Sequence, residues 1–480
     1  MSRTTEAVNR IPAQVSIGAL ALLCGCFVFS GVAALIYQTA WTRQFAIVFG
    51  TSELAVATVL AAYMGGLALG ATLAEKFLAR VTRPVLTYGL LEIGIAGSAV
   101  FIVPMLLWLA NVALQSLFGG QPTPPDSDHA GTTLFYLVSA FVALALPTTL
   151  MGATLPVLAR YAVAEEAQIG RRIGLLYAMN TAGAVAGALL TAFLLLPELG
   201  LTRTVWIAAV LNAIVFLLAV ALARRMPHEK TPKGFADDAT PRRAAPERIR
   251  KYSFKAFPGP AWVLPLMLFA GAVAFFQEVL WTRMLAHVVG SSIYAFGVMV
   301  ASFLAGIALG GALGAAVAKT RERATLALGL ALMVAAVAAA VAYLRLESLL
   351  PSTAGLLVSS DLHFGFLRVP NTLFCGLLLL PMTIAIGMTY PLAVRILASD
   401  AQEAAPVSAR VYAWNTVGAI AGSLAAGFLL IPELKYEGSI RVAVCASAAL
   451  GVFALWVLLP VKRVVAIATT LLAVAGCVLF

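Results

Sequence analysis

At 480 residues the chain has length for several soluble domains, yet only 11% of it is charged and 61% is hydrophobic, with a mean hydropathy of +0.96. Soluble domains carry about 25% charged residues, so this composition excludes a soluble multidomain enzyme and makes the lipid bilayer the chain's solvent. The net charge of +11 does not point to nucleic acid, because Lys and Arg sit between apolar runs rather than on periodic polar faces.

Arg3 and Arg10 precede the first apolar run, in which Leu23-Cys24-Gly25-Cys26 is similar to a lipoprotein cleavage site. That run continues to Trp41, beyond the roughly 7 to 15 residues of a signal h-region, which predicts a retained first helix. A spanning helix needs about 20 apolar residues, since no water is present to satisfy its backbone. Twelve stretches qualify: 16–41, 53–79, 85–109, 132–159, 173–197, 203–223, 261–283, 291–318, 324–345, 369–394, 410–432 and 440–460. A thirteenth runs from Val464 to Phe480. The five cysteines fall inside apolar stretches without metal-ligand or disulfide spacing.

Basic residues alternate between loops. Arg3 and Arg10, then Lys76, Arg80 and Arg83, then Arg160, Arg171 and Arg172, then Lys319, Arg321 and Arg323, then Lys462 and Arg463 mark one side as cytoplasmic. The loop from Asn111 to Gly131 has Asp126 and Asp128 but no Lys or Arg, and so reads as periplasmic. The expected setting is a bacterial inner membrane, with the N-terminus in the cytoplasm. Arg224 to Lys255 holds four prolines and ten basic residues against four acids. It reads as a cytoplasmic linker or as a polybasic segment on anionic lipid. The organisation expected is an N-terminal six-helix half over 1–223, a linker over 224–260, a C-terminal half over 261–460 and an extra helix over 461–480.

The two halves repeat. Trp41-Thr42-Arg43 returns 240 positions later as Trp281-Thr282-Arg283, Gly50-Thr51-Ser52 as Gly290-Ser291-Ser292, and Gly66-Leu67-Ala68-Leu69-Gly70 as Gly306-Ile307-Ala308-Leu309-Gly310. Further on the offset becomes 235. Gly152, Thr154, Pro156 and Arg160 match Gly387, Thr389, Pro391 and Arg395, and Tyr177 to Gly187 matches Tyr412 to Gly422. Both fifth helices end in Pro-Glu, at Pro197-Glu198 and Pro432-Glu433. An even number of helices per half gives parallel repeats about an axis along the membrane normal, which resembles the major facilitator arrangement: an all-α, 6+6 pseudo-two-fold bundle. Glycines four apart at matched positions predict close helix packing rather than a binding site.

Tyr37-Gln38 with Trp41-Thr42-Arg43, Pro147-Thr148-Thr149-Leu150-Met151-Gly152-Ala153-Thr154-Leu155-Pro156, and the two Tyr-Ala-x-Asn-Thr-x-Gly-Ala-x-Ala-Gly helices resemble the membrane portion of bacterial fused MFS/spermidine synthase proteins. The resemblance covers nearly the whole chain. It implies a facilitator-like membrane module that in many members precedes a spermidine-synthase-like domain, with an aminopropyltransferase-like domain or soluble protein as partner. The chain has no Gly-rich loop between strand and helix with an acid some 20 residues on, so neither a cofactor site nor aminopropyl-transfer catalysis is expected within it. Its apolar end at Phe480 is read either as the edge of a fragment or as a natural tail. The facilitator loop signature after the second helix survives in part, as Leu73-Ala74-Glu75-Lys76.

Ionisable residues within a bilayer usually face a cavity or a partner. Four stand out: Glu92 in helix 3, Glu278 in helix 7, and Arg43 and Arg283 toward the far ends of helices 1 and 7. Gln38 occupies the position equivalent to Glu278, so the halves present an amide and a carboxylate to a common site. The expected substrate-binding set is Gln38, Arg43, Asn180, Gln277, Glu278, Arg283 and Asn415, with Glu278 the counter-charge for a cation and Glu92 and Glu278 the proton-coupling carboxylates. The competing reading has the arginines snorkelling, the acids bracing helices and the two asparagines bonding across helices. Tyr177 and Tyr412 line the cavity or anchor at the interface. Pro147, Pro156, Pro381 and Pro391 are expected to interrupt helices 4 and 10. His287 has no second ligand at metal spacing, and no metal site is expected. Two functions remain open: a secondary transporter or carrier of a small polar solute, narrowed to a cationic, polyamine-like metabolite, and a non-transporting module that serves a spermidine-synthase-like enzyme.

Overall fold

In the computed structural model, residues 17–49, 53–117, 130–163, 168–225, 260–289, 293–358, 369–400 and 403–458 are described, and every regular element among them is helical. The thirteenth helix, most of the basic linker, Arg3 and Arg10, and Gly50-Thr51-Ser52 with Gly290-Ser291-Ser292 lie outside the described residues. So does the side chain of His287.

The first half comprises α1 (Ile17–Phe49), α2 (Glu53–Phe77), α3 (Pro84–Gly97, passing through a π turn at Ser98–Ile102 into Val103–Leu117), α4 (Ala130–Ala162), α5 (Ile169–Leu190, ending in a π segment Thr191–Leu199) and α6 (Gly200–Arg225). The second half comprises α7 (Val263–Val289), α8 (Ile293–Val317), α9 (Arg321–Val358), α10 (Val369–Leu397), α11 (Ala404–Ala425, ending in a π turn Ala426–Leu430) and α12 (Ile431–Leu458). Ten continuous helical stretches are long and apolar enough to span a bilayer. Two of them, of 57 and 53 residues, are far longer than the about 20 residues that one crossing needs. Each folds back on itself, at Gly200 (φ 73°, ψ 176°) and at Lys435 (φ 56°, ψ −169°), and so contributes two spans. The described chain therefore makes twelve crossings.

The repeat read from sequence is a repeat of contacts. A Cβ added to Gly183 would run into the Val28 carbonyl of α1, and one added to Gly418 into the Leu268 carbonyl of α7. Gly187 and Gly422 likewise meet Val32 and Ala272, which are also 240 apart. Gly66 and Gly306 in turn abut Thr148 and Thr383, and Gly152 and Gly387 abut Leu67 and Ile307. In lipid no hydrophobic effect draws helices together, so dispersion and small-residue seams of this kind hold them. Even the irregularities obey the 235 offset: the π segments begin at Thr191 and Ala426, and the reversals fall at Gly200 and Lys435.

The prolines of α4 and α10 behave otherwise than the sequence suggests. Both helices run unbroken through Pro147 and Pro156, and through Pro381 and Pro391. Neighbouring threonine hydroxyls bond back within these helices, Thr148 to the Leu144 carbonyl at 2.6 Å and Thr389 to that of Ile386 at 2.7 Å, whereas the carbonyls that lose the Pro147 and Pro391 donors are those of Ala143 and Gly387. The departures from α geometry lie instead in α3 and at the ends of α5 and α11.

The halves share a core chiefly at the end flanked by Arg80, Arg160, Arg171, Arg321 and Arg323, the basic end. There Leu158, Ile173 and Leu176 of the first half lie in one buried cluster with Ala318, Leu392, Ile396 and Val411 of the second. Toward the far end each half has a cluster of its own, around Tyr37, Trp41, Phe45 and Tyr136 in the first and around Phe276, Trp281, Phe303 and Ile440 in the second. At the basic end Gly174 of α5 sits against Ala315 of α8 and Gly170 against Ala318 just beyond it, and Glu75 of α2 pairs with Arg410 of α11 at 3.1 Å.

Candidate functional site

Gly31 of α1 receives the backbone carbonyl of Asn180 from α5, and Gly271 of α7 receives that of Asn415 from α11. The two asparagines therefore mark equivalent levels of two equivalent seams. Their amide oxygens lie beside the same glycines, yet among the described residues neither side chain makes a hydrogen bond. The α1–α5 and α7–α11 seams are thus braced by backbone on glycine, and the partly exposed amides are left with spare donors and acceptors. The cross-helix amide bond expected from the sequence is not what holds these helices.

Seven residues, or two helical turns, beyond Gly31 and Gly271 on the same strips are Gln38 and Glu278. Both are half-buried. Among the described residues Glu278 has no hydrogen-bond or ion-pair partner. An unpaired carboxylate costs about 2.5 to 3.5 kcal/mol at a helix centre facing hydrocarbon, which favours a water-filled interior face. One turn toward the basic end from the asparagines are Tyr177 and Tyr412. Tyr177 packs on Tyr390 of α10 with ring centroids 4.7 Å apart, and Tyr412 meets Tyr390 edge-on at 6.3 Å. The Tyr390 hydroxyl is hydrogen-bonded to that of Ser408 at 2.6 Å. One tyrosine from the first half and two from the second thus meet on the basic-end side of the asparagines.

The other predicted residues are distributed differently. Gln277 is fully buried and donates from Nε2 to Ser447 Oγ of α12 at 2.9 Å, which removes it from the solute-facing set and places it in the packing of the second half. Arg43 is exposed at the far end of α1, and Arg283 is half-buried. The tryptophans that begin the Trp-Thr-Arg repeats are core residues, each 1% exposed, and Trp41 stacks on Tyr37 at 5.1 Å. Glu92 is 0% exposed inside the first half and accepts hydrogen bonds from Ser30 Oγ and Asn212 Nδ2, both at 2.6 Å. It does not share the seam with Glu278. Sequence reasoning missed Ser30, Asn212, Ser447, Tyr390 and Ser408. One signal was available, since Asn212 and Ser447 stand 235 apart and each bonds the buried polar group of its own half.

The profile of the Major Facilitator Superfamily matches residues 15–366. The chain belongs to that superfamily. A search of curated protein sequences finds no match. Among solved structures, the chain is similar to the crystal structure of a bacterial homologue of the iron transporter ferroportin in an outward-facing state. The two are 14% identical over 91% of this chain and 98% of that one, with a TM-score of 0.54, a likeness of fold. This superfamily member is therefore a multi-pass membrane protein with the 6+6 helical architecture expected of it.

Proposed function

We propose that the chain is a secondary transporter that carries a small, cationic polar solute between its two halves, with Glu278 as the counter-charge. Superfamily membership supports the transport reading, and the half-buried Glu278 carboxylate, without a partner among the described residues, carries the choice of a cation. Gln38, Asn180 and Asn415 supply neutral hydrogen-bonding groups along the two seams. The partly exposed Tyr177 and Tyr412 offer ring faces, which attract ammonium groups. Among the described residues no three His, Cys, Asp or Glu side chains converge as metal ligands. The reading therefore favours an organic amine over a metal ion of the kind named for the iron-transporter homologue.

The polyamine-like identity of the solute, and an aminopropyltransferase-like partner, rest on the sequence resemblance alone. The bacterial inner membrane as location rests on the resemblance together with the distribution of Lys and Arg, and that distribution gives an N-terminus in the cytoplasm, with the basic end on the same side. Glu278 is also the group placed to exchange a proton for the solute. The test is uptake into proteoliposomes of radiolabelled organic amines, from monoamines to triamines, at several external pH values. Wild-type protein is expected to accumulate at least one amine, and Glu278→Gln to lose at least tenfold in uptake and its dependence on pH. Full, pH-dependent uptake by Glu278→Gln would remove the assigned role, and absence of flux for every amine would favour the non-transporting module.

A further inference from the structure

The fully buried Glu92 belongs to neither seam, and its surroundings are more elaborate than a helix brace requires. Three helices converge on it. Ser30 of α1 donates to Oε1 at 2.6 Å, and Asn212 of α6 donates through Nδ2 to Oε2 at 2.6 Å. Tyr88, one turn earlier on α3, is buried beside it. Among the described residues the ionisable groups around it are Cys26 and Tyr37 from α1 and Tyr88 from α3. From α6 comes the neutral Asn212, and α4, which packs on the same helix, sends Leu150 toward Gly94. No cation is among them, so the ionised form is held by hydrogen-bond donors alone.

The decisive atom is Asn212 Oδ1, which is buried and has no hydrogen-bond partner. A carboxylate cannot use that acceptor, because it has no proton to donate. A carboxylic acid can: with the amide turned over, the new O–H at Oε2 donates to Asn212 Oδ1 while Ser30 continues to donate to Oε1, and Nδ2 takes over the unpartnered position. Each protonation state then keeps two hydrogen bonds to Glu92 in a space closed to water. An amide, with a donor and an acceptor on one rotatable group, is the side chain suited to serving both states. The second half has no such site, since the positions equivalent to Ser30 and Glu92 are Ala270 and Leu332.

We infer that Glu92, Ser30 and Asn212 form a reversible proton-binding site within the first half, separate from the solute site. Taking up the proton reverses the direction of the hydrogen bond between α3 and α6 and leaves the one from α1 in place. Ser30 adjoins Gly31, against which Asn180 is seated, so the site bears on the seam that holds a solute-facing amide. The inference concerns proton binding and stands whether or not the chain carries an amine.

Infrared difference spectroscopy of the full-length protein in lipid, stepped between pH 9 and pH 5, reads the site directly. Wild type is expected to gain the carbonyl-stretch band of a buried protonated carboxylic acid at low pH, one that exchanges slowly in heavy water. Glu92→Gln should lack that band, whereas Glu278→Gln should keep it. Ser30→Ala, which leaves Glu92 in place, should keep the band but move it to higher frequency because one hydrogen bond to the carbonyl is gone. A band that persists in Glu92→Gln would overturn the assignment. So would a wild-type Glu92 that stays protonated, or stays ionised, throughout the range, and so would a band unmoved by Ser30→Ala.

Discussion

Lys435 is the one non-glycine residue with positive φ among the described residues, and it sits where the first half has Gly200. Its φ of 56° and ψ of −169° fall in a region that is essentially confined to glycine, at a cost of about 1 to 3 kcal/mol for other residues. Replacing it with glycine removes that strain but adds unfolded-state freedom worth about 0.5 to 1 kcal/mol. The expected net gain for Lys435→Gly is therefore about 1 kcal/mol, taken toward the middle of both ranges. Gly200→Ala, at φ 73° and with nothing within 4 Å of the new Cβ, should lose a similar amount through conformation alone. The assay is thermal unfolding of purified protein in mild detergent, where about 1 kcal/mol moves the midpoint of a domain the size of one half by about 2 to 4 °C. Opposite shifts in the two variants are predicted. A Lys435→Gly midpoint at or below wild type, with Gly200→Ala unchanged, would show that the far-end reversals are not strained as argued.

The seam glycines and the basic-end ion pair give two further expectations. Gly183→Ala and Gly418→Ala should each destabilise by about 1 to 3 kcal/mol, the usual cost of overpacking, because the new methyl meets backbone rather than a mobile side chain. Gly25→Ala, with open space around its Cβ, should be neutral or stabilising, and the three midpoints measured side by side check the difference. Glu75→Gln breaks the pair with Arg410, whose partners are about a third exposed, so it should cost well under 1 kcal/mol in stability. Its effect should appear instead as easier parting of the halves at the basic end, read as a longer distance between spin labels on exposed Arg80 and Arg323.

Much of the architecture was legible because the repeat carries its own check. Trp41 and Trp281, Gly183 and Gly418, and Asn180 and Asn415 each fix a register, and a register shared by two halves is hard to obtain by chance. Reading residue roles from the same motifs was less successful, and the reason is physical. A polar side chain in an apolar helix signals only that it needs a partner or water, not which of these it finds. Gln277 and Glu278 are adjacent in sequence and point about 100° apart on the helix, so one reaches Ser447 and the other has no partner among the described residues. The prolines of α4 and α10 misled for a related reason. Helix breaking is a rule for isolated helices, and packed neighbours relax it in a membrane bundle.

The departures from symmetry locate the chemistry more sharply than the repeat does. Where the halves match, at the seam glycines, the π segments and the reversal points, the paired residues do the same mechanical work twice. The α1–α5 and α7–α11 seams match almost throughout, with Asn180 against Asn415 and Tyr177 against Tyr412, but differ by one charge at Gln38 and Glu278. The buried polar groups also match at one point, Asn212 and Ser447, and differ around it, with Glu92 and Ser30 in the first half opposed to Leu332 and Ala270 in the second. Each half thus holds one intramembrane carboxylate at a position where its counterpart is neutral: Glu278 half-buried on a seam, Glu92 enclosed within a half. On the proposed reading a cation and a proton would act at different places, because the two carboxylates occupy positions that the repeat does not duplicate.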